Sequence, residues 1–187
     1  MSDVSGIVLA GGLGRRMGGV DKGLQVLRGR PMIAWVLERL EPQVSEVLIN
    51  ANQNLDTYAK FGRRVVSDEV GGYAGPLAGL HAGLRAASHP LAVTVPCDSP
   101  FLPEDLVSRL KGHLGSNDLA VAKTGDQPHP VFALMKRDVR GNLESFLAAG
   151  GRKIDAWYAS LKVVEVKFDD EAEAFRNINT IEELKGA

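Results

Sequence analysis

The chain has 187 residues, 44% hydrophobic and 24% charged, with a formal net charge of −1 and a sequence pI near 6.4. These values exclude a disordered or fibrous protein, suit one well-covered core, and lack the basic excess of a general nucleic-acid binder. Its single cysteine, Cys97, cannot form an internal disulfide or a thiolate metal site; with no basic-apolar leader and no apolar run of membrane-spanning length, the chain is expected in the cytoplasm.

Residues 7–10 are a short apolar run of strand-forming character. They lead into Gly11, Gly12, Gly14, Gly18 and Gly19, interleaved with Arg15, Arg16 and Lys22. Residues without a Cβ let a bulky ligand lie directly on peptide N–H groups, and a concave run of such groups is an anion site. Residues 11–30 hold five basic side chains against one acid, whereas residues 165–187 hold seven acids and three bases. A loop that uses glycine for its turn alone has no need of that local excess, which points to a phosphate cradle. The spacing is not the dinucleotide fingerprint G-x-G-x-x-G, and Lys22 is followed by Gly23 rather than the serine or threonine of a P-loop.

Residues 24–27 are expected as a short edge strand closed by Arg28-Gly29-Arg30. Pro31 then opens a helix with Met32, Ile33, Val36, Leu37 and Leu40 on one face. Residues 46–50 read as a strand ended by the polar turn Asn50-Ala51-Asn52, residues 55–61 as a weaker helix, and residues 64–67 as a strand ending in Asp68. A second glycine loop, residues 71–76, precedes a helical stripe of Leu77, Leu80, Leu84 and Ala87. Residues 91–95 form a buried strand running into Pro96-Cys97-Asp98-Ser99-Pro100, followed by a helix with Leu106, Val107 and Leu110 on one side. This alternation predicts right-handed βαβ units and a three-layer α/β/α sandwich around a mostly parallel central sheet. Beyond residue 115 the rhythm changes. Strands are expected at 119–122, 131–135 and 163–168, a helix at 138–149 stopped by Gly150-Gly151, and a last helix opened by a Thr180/Glu183 capping box. No linker divides the chain, so residues 1–187 are expected as one domain.

In an open parallel sheet, ligands sit outside the carboxyl ends of the strands. Here those ends carry residues 11–16, Asn50, Asp68, Asp98 and residues 125–129, all converging on one edge. Asp98 is the best metal candidate because it follows a buried strand and Pro96 and Pro100 aim its carboxylate; Mg²⁺ often takes just one or two protein carboxylates besides phosphate and water. The ordinary alternative is a cap of the next helix. Lys22 stands where a cation reaches a β or γ phosphate, or is a surface lysine. Asp68 and Asn50 suit a nucleobase N–H or a ribose hydroxyl, or simply form turns. His129, between Pro128 and Pro130, lines a second substrate pocket or packs structurally. Arg152 and Lys153 meet another phosphate or solvent, and Asn177 and Asn179 offer carbonyl oxygens toward the metal from the far end of the chain. Cys97 reads as a small buried residue, since no basic group adjoins it to make a nucleophile.

Taken in order, LAGGLGRRMGGVDKG, INAN, the Asp68 turn, YAGPLAG, VPCDSP, HPVFAL and NINT resemble the molybdenum cofactor guanylyltransferases. These are members of the nucleotidyltransferase superfamily with a Rossmann-like fold. The resemblance runs from Ile7 to the end of the chain, and LAGG, RRMGG and DKG favour the guanylyl branch over cytidylyl relatives, which more often read LAAG. It implies transfer of GMP from GTP to the terminal phosphate of molybdenum-molybdopterin, with Mg²⁺ as cofactor and pyrophosphate as the leaving product. It further implies that Leu9, Ala10, Gly11, Gly12 and Gly75 border the GTP, Lys22 its phosphates, and Asn50 and Asp68 its base or ribose. Asp98 would bind both nucleotide and Mg²⁺, forming the catalytic set with Arg16 and Lys22. His129, Arg152, Asn177 and Asn179 fall to the molybdopterin side, so that residues 1–115 serve the nucleotide and residues 116–187 the pterin. Transient contacts with cofactor-biosynthesis proteins and with recipient molybdoenzymes or their chaperones follow from the family. Three alternatives stay open: a cytidylyltransferase on the same pterin, a sugar-phosphate nucleotidyltransferase, and a non-catalytic nucleotide-binding regulatory subunit. Retention of both Lys22 and Asp98 argues against the last.

Overall fold

A computed structural model describes residues 2–11, 21–71, 75–178 and 185–186. Strand β1 (Val4–Leu9) lies at the heart of the main sheet, parallel to β4 (Glu46–Asn50) on one side and to β6 (Leu91–Pro96) on the other. Strand β5 (Arg64–Val66) extends the sheet beyond β4. Past β6 lie β8 (Gln127–Lys136), β7 (Leu119–Thr124) and β9 (Val163–Lys167), giving the order β5-β4-β1-β6-β8-β7-β9. Within it β8 alone runs against the other six, so the expected mostly parallel sheet is present.

Alternation along the strands assigns the layers. Val4, Val8, Val47, Ile49, Val93 and Val95 face one side, where α1 (Met32–Leu40), α2 (Leu55–Ala59) and α4 (Leu106–Leu114) cover them. Ile7, Leu48, Ala92 and Met135 face the other, under α3 (Pro76–Ala86), α5 (Arg140–Ala148) and α6 (Ile154–Tyr158). Helix α3 lies unusually close to the sheet. A Cβ on Gly83 would stand 2.6 Å from Ile7 Cδ1, and one on Gly79 only 2.2 Å from Asn50 Oδ1.

Several elements differ from the sequence reading. The expected edge strand is instead half of a separate hairpin, β2 (Val26–Leu27) with β3 (Arg30–Pro31), which stays out of the main sheet. Its two-residue tip, Arg28-Gly29, has φ of 49° and 82°, the doubly positive pair that a type I′ turn demands. Leu27 packs with Met32 and Ile178 in a small core of its own, flanked by Trp35 and Phe101. The helix expected from residue 138 begins as a 3-10 turn, Arg137–Val139, and becomes α-helical at Arg140. Helix α6 and the 3-10 segment Asp169–Phe175 are additions. The expected capping box at Thr180 and Glu183 lies outside the described residues.

Strand β8 carries two prolines, which a central strand excludes because proline cannot donate to a ladder. The register resolves this. β8 pairs with β6 from Ala133 to Lys136, whereas Gln127, Pro128 and His129 pair with β7 alone, past a register shift between Val121 and Ala122. Beyond Thr94 the β6–β8 ladder therefore ends, leaving the carboxyl end of β6 paired with β1 alone beside the crevice that an open α/β sheet has outside its strand ends. On the other flank, β1 is followed by β4 and β5 to one side while β6 returns on the opposite side. The carboxyl ends of β1 and β6 thus bound a topological switch point, where open α/β sheets bind ligands. Among the described residues no helix is long and apolar enough to cross a membrane.

Candidate active site

The β1 and β6 ends are tied together one residue past the strands. Cys97 N–H donates to Leu9 O at 3.2 Å, and Ala10 N–H donates to Asn50 O at 2.8 Å. Leu9 thus ends β1 paired on both sides, and Ala10 leads out of the sheet still tied to Asn50. Asp98 follows, 8% exposed, with its carboxylate Oδ2 3.6 Å from Lys22 Nζ. Two residues 76 positions apart in the chain are thus brought together at the crevice. Asp98 is not the cap of α4, which begins eight residues later with Asp105 as its preceding residue. The Cys97 thiol is held protonated, pushed up by burial and then by the neighbouring carboxylates of Asp98 and Asp21, in keeping with its reading as a packing residue.

A second group assembles at the β4 end. Asn50 is buried, and its Nδ2 donates to Asp68 Oδ1 at 2.9 Å and to Val66 O at 3.2 Å. Its Oδ1 lies against Gly79 of α3 and against Gly11. The Asp68 backbone N–H donates to Asn52 Oδ1 at 2.9 Å. Asn50 and Asn52 together aim the half-buried Asp68 carboxylate, and Asn50 is the packed member of the pair. Gly75 directly precedes Pro76 with φ 56°, so α3 starts at this same edge. No described side chain caps its N-terminus, leaving the positive end of the helix dipole at the crevice.

The C-terminal part closes the far side. His129 stacks on Phe175 with ring centroids 4.8 Å apart and planes 15° apart, and its Nε2 lies 2.7 Å from Thr124 Oγ1. Burial lowers its pKa below the ordinary 6.5, so the ring is neutral at pH 7. After Phe175 the chain returns to β6: Ser99 Oγ donates to Asn177 Oδ1, and Ile178 N–H donates to Asp98 O at 2.8 Å. Asn177 is therefore held near Asp98, with its side-chain carbonyl accepting from Ser99. Arg152 spends Nη1 on the carbonyls of Leu147 and Gly151, at 3.0 and 2.6 Å, which places it at the end of α5 on the same sheet edge. Gly12, Arg16 and Asn179 lie outside the described residues.

For a divalent cation the described residues offer one well-aimed carboxylate, Asp98, and no cluster of three acidic, histidine or cysteine ligands. That donor set fits Mg²⁺, which keeps several waters and takes substrate phosphate, and does not fit a closed all-protein cage. The sequence reading missed Asp21, Asn52, Tyr58 and Ser99. Asp21 had one available signal, as the lone acid among the five bases of residues 11–30. A groove of about 980 Å³ lies at the opposite edge of the sheet, lined by Asp3, Ser88, Lys136 and Arg137. It mixes acids with bases far from the Lys22–Asp98 pair and does not suit a polyphosphate.

Residues 6–163 match the family model of the MobA-like NTP transferase domain. The chain is 53% identical over 189 residues to a molybdenum cofactor guanylyltransferase of Cupriavidus metallidurans, covering 97% of this chain and 93% of that one. It is 50% identical over 182 residues to the protein of the same name from Shewanella putrefaciens, covering 96% and 93%. Among solved structures, the molybdopterin-guanine dinucleotide biosynthesis protein A of Archaeoglobus fulgidus superposes with a TM-score of 0.80 at 30% identity, over 97% of this chain and 95% of that one. A nucleotidyl transferase from Methanothermobacter, 20% identical with a TM-score of 0.77 over 98% and 94%, shares the fold.

Proposed function

The chain belongs to the molybdenum cofactor guanylyltransferases of the MobA-like NTP transferase family, and on that premise we propose that it transfers GMP from GTP to the terminal phosphate of molybdenum-molybdopterin. The products are the guanine dinucleotide form of the cofactor and pyrophosphate. The observation that carries the reading is the Lys22–Asp98 pair at the switch-point crevice, a cation and a carboxylate held 3.6 Å apart where a polyphosphate would enter. Relatives at about half identity favour this over the cytidylyl and sugar-phosphate alternatives.

The chemistry is an in-line displacement. An anionic oxygen of the pterin phosphate forms a bond to the α-phosphorus of GTP, the bond from that phosphorus to the bridging oxygen breaks, and the electron pair leaves with pyrophosphate. The attacking oxygen is already ionised at neutral pH, so the protein supplies position and charge rather than a strong base. In this reading Lys22 and Arg16 neutralise the β and γ phosphates, and Leu9, Ala10, Gly11 and Gly12 hold the nucleotide along the end of β1. Asp68, aimed by Asn50, meets the base or ribose, and Gly75 lets the N-terminus of α3 approach. Asp98 would hold Mg²⁺, which when bound supplies Lewis-acid charge to the phosphate oxygens. His129, Arg152, Asn177 and Asn179 border the pterin, with residues 1–115 serving GTP and residues 116–187 the second substrate. Transient contact with cofactor-biosynthesis proteins and with recipient molybdoenzymes or their chaperones goes with that role. A free buried thiol and the use of GTP suit the cytoplasm.

Calorimetric titration of wild type and Asp98→Ala with GTP, ATP and CTP in Mg²⁺ tests the reading. GTP is expected to bind selectively, and Asp98→Ala to weaken binding by more than the roughly ten- to hundredfold typical of losing one charge-assisted contact. Selective CTP binding, or GTP affinity unchanged in Asp98→Ala, would overturn it.

A further inference from the structure

Lys22 is not held by its own element. It begins a three-residue 3-10 turn, Lys22–Leu24, which has too few hydrogen bonds to fix a side chain by itself. The residue before it is firmly built in. Asp21 is 7% exposed, and its carboxylate accepts from Tyr58 Oη, from Asn54 Nδ2 at 3.2 Å and from Gly23 N–H at 3.3 Å. Its carbonyl receives Leu24 N–H and Gln25 Nε2. Tyr58 is fully buried, and desolvation first, then the neighbouring Cys97, raises its pKa, so it remains a phenol and a donor. The packing admits no slack, because a Cβ on Gly23 would stand 2.7 Å from Tyr58 Oη and 3.3 Å from Cys97 Cβ. Both Tyr58 and Asn54 come from α2 and the residue preceding it, a five-residue helix that reaches the crevice through this contact.

A carboxylate out of water costs several kcal/mol unless its oxygens are satisfied. The chain places one here, one residue from Lys22, and among the described residues its donors are the neutral Tyr58, Asn54 and Gly23 N–H. We propose that Asp21, Tyr58 and Asn54 are positioning residues, a buried latch that fixes the Lys22 ammonium at the phosphate end of the crevice. The proposal rests on the GTP-binding reading above. Its content beyond that reading is that α2 acts on nucleotide binding through Lys22 alone.

A double-mutant cycle reads this directly. GTP dissociation constants are measured calorimetrically in Mg²⁺ for wild type, Tyr58→Phe, Lys22→Ala and the double variant, each first shown to unfold cooperatively. Tyr58→Phe removes one hydrogen bond to a charged group and is expected to weaken GTP about five- to tenfold in the wild-type background. In the Lys22→Ala background the same change is expected to cost less than about twofold, a difference that general loosening would not produce. Asn54→Gly supplies a second variant that spares the fold: Asn54 has φ 54° and ψ 37°, a conformation glycine adopts freely, so only the side-chain donor is lost. It should weaken GTP about two- to threefold, again through Lys22. Equal losses in both backgrounds, or full GTP affinity in both Tyr58→Phe and Asn54→Gly, would overturn the latch while leaving the GTP reading intact. Failure of wild type to bind GTP would overturn both.

Discussion

At the residue scale, the side chains that the sequence made legible are those whose surroundings are local. Asp98 was readable because a buried strand delivers it and two prolines restrict its backbone, and it stands at the crevice mouth opposite Lys22. Tyr58 was not readable, and Asp21 only as the lone acid among the bases of residues 11–30. They lie 37 positions apart, and nothing in the period of α2 distinguishes a tyrosine that packs from one that donates to a buried carboxylate. Glu46 is a similar case at the opposite edge, where it joins three elements: Ser5 Oγ donates to it at 2.5 Å and Ser88 N–H at 2.6 Å. Burial raises its carboxyl, but the hydrogen bonds from Ser5, Ser88 and His89 outweigh that and hold it below the ordinary 4.5. A carboxylate whose folded pKa is depressed contributes stability that is full above its unfolded pKa and disappears as pH falls through the folded value. Glu46→Gln is therefore expected to lose about 1 kcal/mol of stability at pH 7. Urea denaturation across pH should show the difference from wild type shrinking below about pH 4.5; a difference that persists at lower pH would contradict the assignment.

At the scale of elements, short apolar runs located the strands of the parallel half, although β1 begins at Val4 rather than Ile7, and the misses have separate causes. Helix α6 has five residues, too few for a period to declare itself. The start of β8 looked irregular because Pro128 and Pro130 break the strand pattern, and only the loss of pairing with β6 makes them acceptable there. Helix α3 shows how an element serves the site. Its Gly79 admits the Asn50 side chain, and Asn50 in turn aims Asp68. Helix propensity alone would favour Gly79→Ala by about 1 kcal/mol. The 2.2 Å approach to Asn50 Oδ1 decides otherwise, since the new methyl must displace a buried amide. A net loss of about 1–2 kcal/mol is expected from denaturant unfolding, accompanied by weaker GTP binding. A stabilised variant would show that α3 can lift from the sheet and that Asn50 is not held by it.

At the scale of the molecule, strand–helix alternation gives parallel units but not their order, and the order is what makes the crevice. Because β1 is flanked by β4 and β6, the carboxyl ends of β1 and β6 lie side by side, while the late hairpin of β7 and β8 carries His129 to the same edge. The 3-10 segment Asp169–Phe175 and the return of Asn177 to Ser99 then bring the end of the chain to Asp98. No local pattern announces that closure; NINT signals it through resemblance, and the contact appears when the sheet is assembled. That this one edge receives both GTP and molybdenum-molybdopterin is the function proposed above. The most direct test is to incubate the protein with molybdenum-molybdopterin, Mg²⁺ and equal GTP and CTP, then identify the dinucleotide by mass while counting pyrophosphate. The expected product is the guanine dinucleotide with one pyrophosphate per product, lost in Asp98→Ala. A cytosine dinucleotide, or bound GTP with no pyrophosphate released, would contradict it.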